Sequence, residues 1–120
     1  MDFGAQAAKL VRHPIVPSIE VGDVRVTTRS LNHPQGCFGY RIDDGRHVVV
    51  YATDTEPPES GPNEKLIELC QGADLVIHDA QYTPEEYGPK KTWGHSTYEY
   101  AVRVAAAAGV RQVALTHNDP

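Results

Sequence analysis

His33, Asp54 and His117 are side chains able to hold a metal ion, and each lies just past a stretch with the pattern of a β-strand: the strands from Val24, His47 and Gln112. Where strands are joined by helical crossovers, ligands gather beyond the carboxyl ends, because loops converge there and backbone does not block access. All three residues sit among small or rigid neighbours that restrict their aim. The strings are Asn32-His33-Pro34 with Gly36, Thr53-Asp54-Thr55 before Pro57 and Pro58, and Thr116-His117-Asn118-Asp119-Pro120. Two imidazoles and a carboxylate suit zinc, iron or manganese, and a carboxylate has two oxygens with which to bridge two ions. The separations from 33 to 54 and from 54 to 117 are tertiary, so a structural reading stands beside this one. In it Asp54 caps the turn before Pro57, and His33 and His117 are polar strand ends.

The elements that must position these residues follow from periodicity and punctuation. Residues 1–20 carry little pattern, and Pro14 and Pro17 interrupt any helix begun at Ala5–Val11, so this is read as an irregular or truncated opening segment. VGDVRVTTR, from Val21 to Arg29, is β-branched and alternating, which predicts a half-buried strand. Gly39–Ile42 and His47–Ala52 flank Asp43-Asp44-Gly45-Arg46, whose Asp-Gly pair supplies the positive φ of a hairpin turn. NEKLIELC predicts a short helix with Leu66, Ile67 and Cys70 on one face, ended by Gly72. ADLVIH is a nearly all-apolar run of the kind buried on both faces, which implies helices on either side. Tyr82–Trp93 reads as a polar loop. Ser96 and Glu99 have capping-box spacing, and the helix they open runs to about Ala108, where Gly109 stops it before a buried strand over Arg111–Thr116. Strand, hairpin, helix, strand, helix, strand makes a mixed α/β layer.

Composition narrows the function. The chain has 120 residues, 40% of them apolar, enough for one modest core. Eleven basic against sixteen acidic residues give a net charge of −5, with no basic stripe to follow a phosphate backbone. A small-molecule substrate is therefore favoured over nucleic acid. No apolar run approaches the roughly 20 residues of a membrane span. Cys37 and Cys70 are far apart without CxxC spacing, which suits a reducing, cytoplasmic setting.

Taken as whole strings, the blocks say more. Asn32-His33-Pro34 through Gly39-Tyr40-Arg41-Ile42, Tyr51-Ala52-Thr53-Asp54-Thr55, Val76-Ile77-His78-Asp79-Ala80, Trp93-Gly94-His95-Ser96-Thr97 and Leu115-Thr116-His117 resemble, in order, the blocks of the metallo-β-lactamase superfamily. Within it they are most similar to the branch that includes RNase Z, the tRNA 3′-end-processing endonuclease, and its bacterial metallohydrolase relatives. The resemblance covers residues 21–120, read as a partial domain. It implies the carboxy-terminal half of an αββα sandwich, a mixed sheet with covering helices, in a metal-dependent hydrolase of esters, phosphodiesters or lactones that uses a metal-bridging hydroxide. The cofactor it implies is two zinc ions, with iron or manganese as alternatives.

Carried over residue by residue, the resemblance makes His33 the third histidine of the first metal, Asp54 the bridging carboxylate and His117 a histidine of the second metal. His95 is implied to stand near the scissile bond and help deliver a proton to the leaving group. Its place just ahead of a capped helix start also puts it near backbone amides that favour an anion, although a residue there can simply pack on the loop. His78 and Asp79 end a buried strand beneath the site and are read as support, with Asp79 orienting a ligand histidine.

Two features depart from the family pattern. Its HxHxDH block has no counterpart, since the chain contains no His-x-His. Each metal would keep one histidine and the shared Asp54, two protein ligands where zinc takes three or four. The chain alone is thus expected to bind metal poorly and to need the missing amino-terminal half or a second copy of itself. The alternative is a non-catalytic half-domain or interaction module that requires a partner chain. Second, the RNase Z branch has an acidic residue three positions before the bridging aspartate, where this chain has Tyr51. This weighs against tRNA as substrate.

Overall fold

The computed structural model describes residues 11–117. Six strands form one sheet in sequence order: β1 (Ser18–Val21), β2 (Val24–Leu31), β3 (Cys37–Asp43), β4 (Val48–Ala52), β5 (Leu75–Asp79) and β6 (Gln112–Thr116). β1 to β4 pair antiparallel through tight turns. β4, β5 and β6 are parallel, and their crossovers carry α1 (Glu64–Cys70) and α3 (Tyr98–Ala108). Parallel neighbours need such crossovers because a two-residue turn cannot bring the chain back to the same end of the sheet.

The β3–β4 hairpin forms where the Asp-Gly pair places it. Gly45 takes φ +85°, and Asp44 Oδ1 accepts from the Arg46 and His47 amides at 2.9 and 2.7 Å, closing the turn. The run expected as one strand from Val21 is instead two, broken at Gly22 (φ +59°) and Asp23. The Gly-Asp dipeptide outweighs the alternation around it, and β1 occupies the end of the segment read as irregular.

Both helices cover one face. Leu31, Val50, Ala52 and Val76 from the sheet pack with Leu66, Leu69 and Cys70 of α1 and Val104 and Ala108 of α3. Gly39 is needed here, because a β-carbon on it would lie 2.8 Å from Leu69 Cδ2. Arg41 Nη1 donates to the carbonyls of Leu69 and Gln71 at 2.9 and 2.8 Å, satisfying acceptors that the end of α1 leaves open.

Among the described residues the opposite face carries no helix. Register places Tyr40, Tyr51 and Ile77 in one row and Val26, Ile42, Val49 and Leu75 in the next. Ile42 is 40% exposed and Tyr51 45%. The expectation of β5 buried on both faces is therefore corrected: Val76 and His78 are buried toward the helices, whereas Leu75 and Ile77 are half-buried. Among the described residues β6 is likewise an edge strand, not a buried one, and Leu115 is 41% exposed. The polar loop Tyr82–Trp93 contains a short helix, α2 (Pro84–Tyr87), with a capping box between Thr83 and Glu86, followed by a 3-10 turn.

A candidate metal and proton-transfer site

The topology sends four strand ends to one edge. β2 and β4 both run antiparallel to β3, and β5 and β6 run parallel to β4, so all four share their carboxyl end. His33 follows β2, Asp54 follows β4, Asp79 ends β5 and His117 follows β6. The β5–α3 loop returns over the same edge and carries His95.

Asp54 Oδ1 lies 3.7 Å from His117 Nε2 and 3.7 Å from His95 Nδ1, and Asp79 Oδ2 lies 2.6 Å from His95 Nδ1. One ligand atom from each of Asp54, Asp79, His95 and His117 falls within 4.8 Å of the others. Two ligands of one zinc ion at about 2.1 Å in tetrahedral geometry are roughly 3.4 Å apart. The Asp54–His117 separation fits that spacing, and both side chains are 40% or more exposed and reachable from solvent. The residues present thus fit a divalent metal.

Asp79 has a different part. It is fully buried and accepts from the Gln81 amide at 3.2 Å and the Ser96 amide at 3.3 Å as well as from His95. A carboxylate only accepts, so His95 Nδ1 carries the hydrogen of the 2.6 Å bond and Nε2 is the ring's remaining nitrogen. The histidine bonded to Asp79 is thus His95, which the resemblance places at the leaving group rather than among the metal ligands.

Backbone geometry marks the same positions. Asp54 and His117 hold φ +57° and +61°, two of only three non-glycine residues in the left-handed region among those described; the third is Thr92. That conformation costs about 1 kcal/mol for a residue with a β-carbon, and such cost concentrates where function fixes a side chain.

His33 stands one ring away. Its centroid is 6.3 Å from that of His95, edge-on, and its Nδ1 accepts from the Gln35 amide at 3.2 Å. It packs on Gly94, whose φ of +91° and missing β-carbon make the approach possible. His33 lies beside the Asp54–His117 group without sharing its close spacing. His78 lies off the site, wholly buried, with Nδ1 donating to the Asp79 carbonyl at 2.7 Å and its ring edge against Tyr100. Burial holds its pKa below the usual 6.5, although the Asp79 carbonyl and carboxylate oppose the shift.

The cap of α3 differs from the expected Ser96–Glu99 box. Thr97 is the N-cap and accepts from the Tyr100 amide at 3.1 Å, while Ser96 is buried and donates its hydroxyl to the Thr55 carbonyl. Glu99 pairs with Arg103 at 3.0 Å instead. The neighbouring threonine wins the cap because Ser96 is committed to holding the β4 loop. Tyr51, in the place where the RNase Z branch is acidic, sits on β4 opposite Tyr40 on the open face.

Comparison with known proteins agrees with this fold. The profile of the Beta-lactamase superfamily domain matches residues 3–118, and the chain belongs to that family. Its relatives include Ribonuclease Z of Ignicoccus hospitalis, 40% identical over 78 residues, covering 65% of this chain and 24% of that protein. The probable metallo-hydrolase YhfI of Bacillus subtilis is 31% identical over 99 residues, covering 82% of this chain and 38% of that one. The crystal structure of YhfI, a metallo-beta-lactamase fold protein, superposes with a TM-score of 0.74 at 30% identity, over 87% of this chain and 40% of that one. Human tRNase Z, short form, shares the fold with a TM-score of 0.71 at 23% identity, over 85% and 39%. The chain thus spans well under half the length of the relatives it matches.

Among the described residues no helix is long and apolar enough to cross a membrane.

Proposed function

We propose that this chain supplies the carboxy-terminal part of a metal-dependent hydrolase acting on a small ester, phosphodiester or lactone in the cytoplasm. The observation that carries this reading is the meeting of Asp54, His117 and the Asp79–His95 pair at one sheet edge, with the Asp54–His117 spacing of 3.7 Å. Asp54 and His117 would hold metal, zinc being the first choice and iron or manganese compatible with the same donors. Bound there, a divalent ion lowers the pKa of water and polarises the electrophile. His33 would join the ligand set from its place beside Gly94.

His95 would supply the proton chemistry. Asp79 fixes its tautomer and ring plane through Nδ1, so Nε2 is the atom that exchanges a proton with the leaving oxygen. The acidic net charge and Tyr51 support a small substrate rather than tRNA.

The open face of the sheet supports the further reading that a first half, or a second copy, packs against Tyr40, Ile42, Tyr51 and Ile77 and brings the remaining ligands. A chimera in which this chain replaces the matching part of YhfI tests both points. The expected result is stoichiometric divalent metal and metal-dependent hydrolysis of an activated phosphodiester or ester, both diminished by Asp54→Ala. A folded chimera that takes up no metal would overturn the reading.

A further inference from the structure

We infer that Glu56 is a positioning residue for this site, a buried carboxylate that locks the loops carrying His33, Asp54 and His95 to one another. The inference rests on the site described above for its purpose, and on hydrogen bonding alone for its geometry. Glu56 is 7% exposed, two residues beyond Asp54, and both its oxygens point into the β5–α3 loop. Oε1 accepts from the Tyr87 hydroxyl at 2.9 Å and the Thr92 amide at 2.5 Å, and Oε2 accepts from the Gly94 amide at 3.2 Å. A buried carboxylate needs such donors, and all three come from the segment that leads into His95.

The backbone of Glu56 makes the third connection. Its amide donates to the Asn32 carbonyl at 2.8 Å, and Asn32 Nδ2 returns bonds to the Glu56 and Pro57 carbonyls at 3.0 and 3.2 Å. Asn32 precedes His33. One residue therefore ties the end of β2, the end of β4 and the approach to α3 into a single unit.

The loop conformation is what this grip sustains. Thr92 is held at φ +73° and Gly94 at +91°, and each of their amides points at the Glu56 carboxylate. Gly94 also carries the His33 ring, two of whose atoms lie within 2.5 Å of where a β-carbon would be. Releasing Thr92 and Gly94 would free the turn that sets the distance between the His33 and His95 rings. Desolvation, and after it the hydrogen bond to the Glu56 carboxylate, raises the pKa of Tyr87.

Amide hydrogen exchange of the chain, read residue by residue with the imidazole resonances, tests this. In Glu56→Gln the side-chain amide turns a donor toward one of the two loop N–H groups. The expected result is a loss of protection at Thr92 or Gly94 of about tenfold or more, about 1.4 kcal/mol. The His33 and His95 ring resonances should shift together while Val50 and Val76 in the sheet keep their protection. Tyr87→Phe, which deletes only one donor and leaves a well-folded control, should leave the Thr92 and Gly94 amides protected. Unchanged loop protection in Glu56→Gln, or an equal loss throughout the sheet, would overturn the inference. None of these readings uses metal, and a separate zinc titration of the wild-type chain reports on the metal reading alone.

Discussion

Placing a methyl group on Gly94 measures how tightly the His33 and His95 loops are packed. At φ +91° any residue with a β-carbon pays about 1–2 kcal/mol in backbone strain. The added carbon would also lie 2.4 Å from His33 Cδ2, 2.5 Å from Nε2 and 3.1 Å from Pro34 Cδ, so the imidazole must move, an overpacking cost of about 1–3 kcal/mol. Gly94→Ala should thus destabilise by about 2–5 kcal/mol. Gly45→Ala provides the reference, because Gly45 has nearly the same φ, +85°, with nothing within 4 Å of its missing β-carbon. It should lose only the strain. Urea unfolding monitored by circular dichroism gives both values, and each kcal/mol corresponds to about 4–8 °C in Tm for a domain near this size. In a cycle with His33→Ala, truncating the ring should recover about 1–3 kcal/mol of the Gly94→Ala loss. Equal losses at the two glycines, together with additivity in the cycle, would show that His33 does not lie on this loop and would refute the arrangement.

Asp54→Asn should fold at least as stably as the parent, by about 0–1 kcal/mol, because asparagine tolerates the left-handed φ of +57° and relieves repulsion with Asp79; thermal unfolding without metal checks this. His78 governs stability in mildly acidic solution. Its folded-state pKa is depressed by burial, so the unfolded chain binds the proton first. Stability is full above pH 6.5 and falls as pH drops below it, by up to about 1.4 kcal/mol per pH unit until the folded-state value is reached. Urea midpoints at pH 7.5, 6.5 and 5.5 should show the decline, and a flat profile would contradict the burial of His78. Cys70, whose thiol burial pushes up to about 12, should resist iodoacetamide at pH 8 in the native state while half-buried Cys37 reacts first, as peptide mass spectrometry would show.

Much of this was legible in the sequence because it depends on local chemistry. Asp43-Asp44-Gly45-Arg46 makes its turn wherever it occurs, Gly109 stops α3 in the left-handed conformation, and strand exits locate His33, Asp54 and His117. Other features depend on contacts that periodicity does not encode. Thr97 became the cap of α3 because Ser96 is held by the Thr55 carbonyl, forty-one residues away in sequence. The Asp79–His95 bond joins residues separated by a loop whose path is set by Glu56, a glutamate with no motif to single it out. The Gly22-Asp23 turn was visible in principle as a hairpin dipeptide, masked by the alternation of its neighbours. The half-buried face of β5 was misread because an apolar run looks the same whether one face of the strand is covered or both.

The most direct test of the central claim is a zinc titration of the chain followed through the histidine ring resonances, run in parallel on Asp54→Asn. The account predicts saturable changes at His117 and at its neighbour His95, weaker than in a site with three or four protein ligands and absent in the variant, while buried His78 does not respond. Rings of His117 and His95 that ignore zinc, or that respond equally without the Asp54 carboxylate, would contradict it.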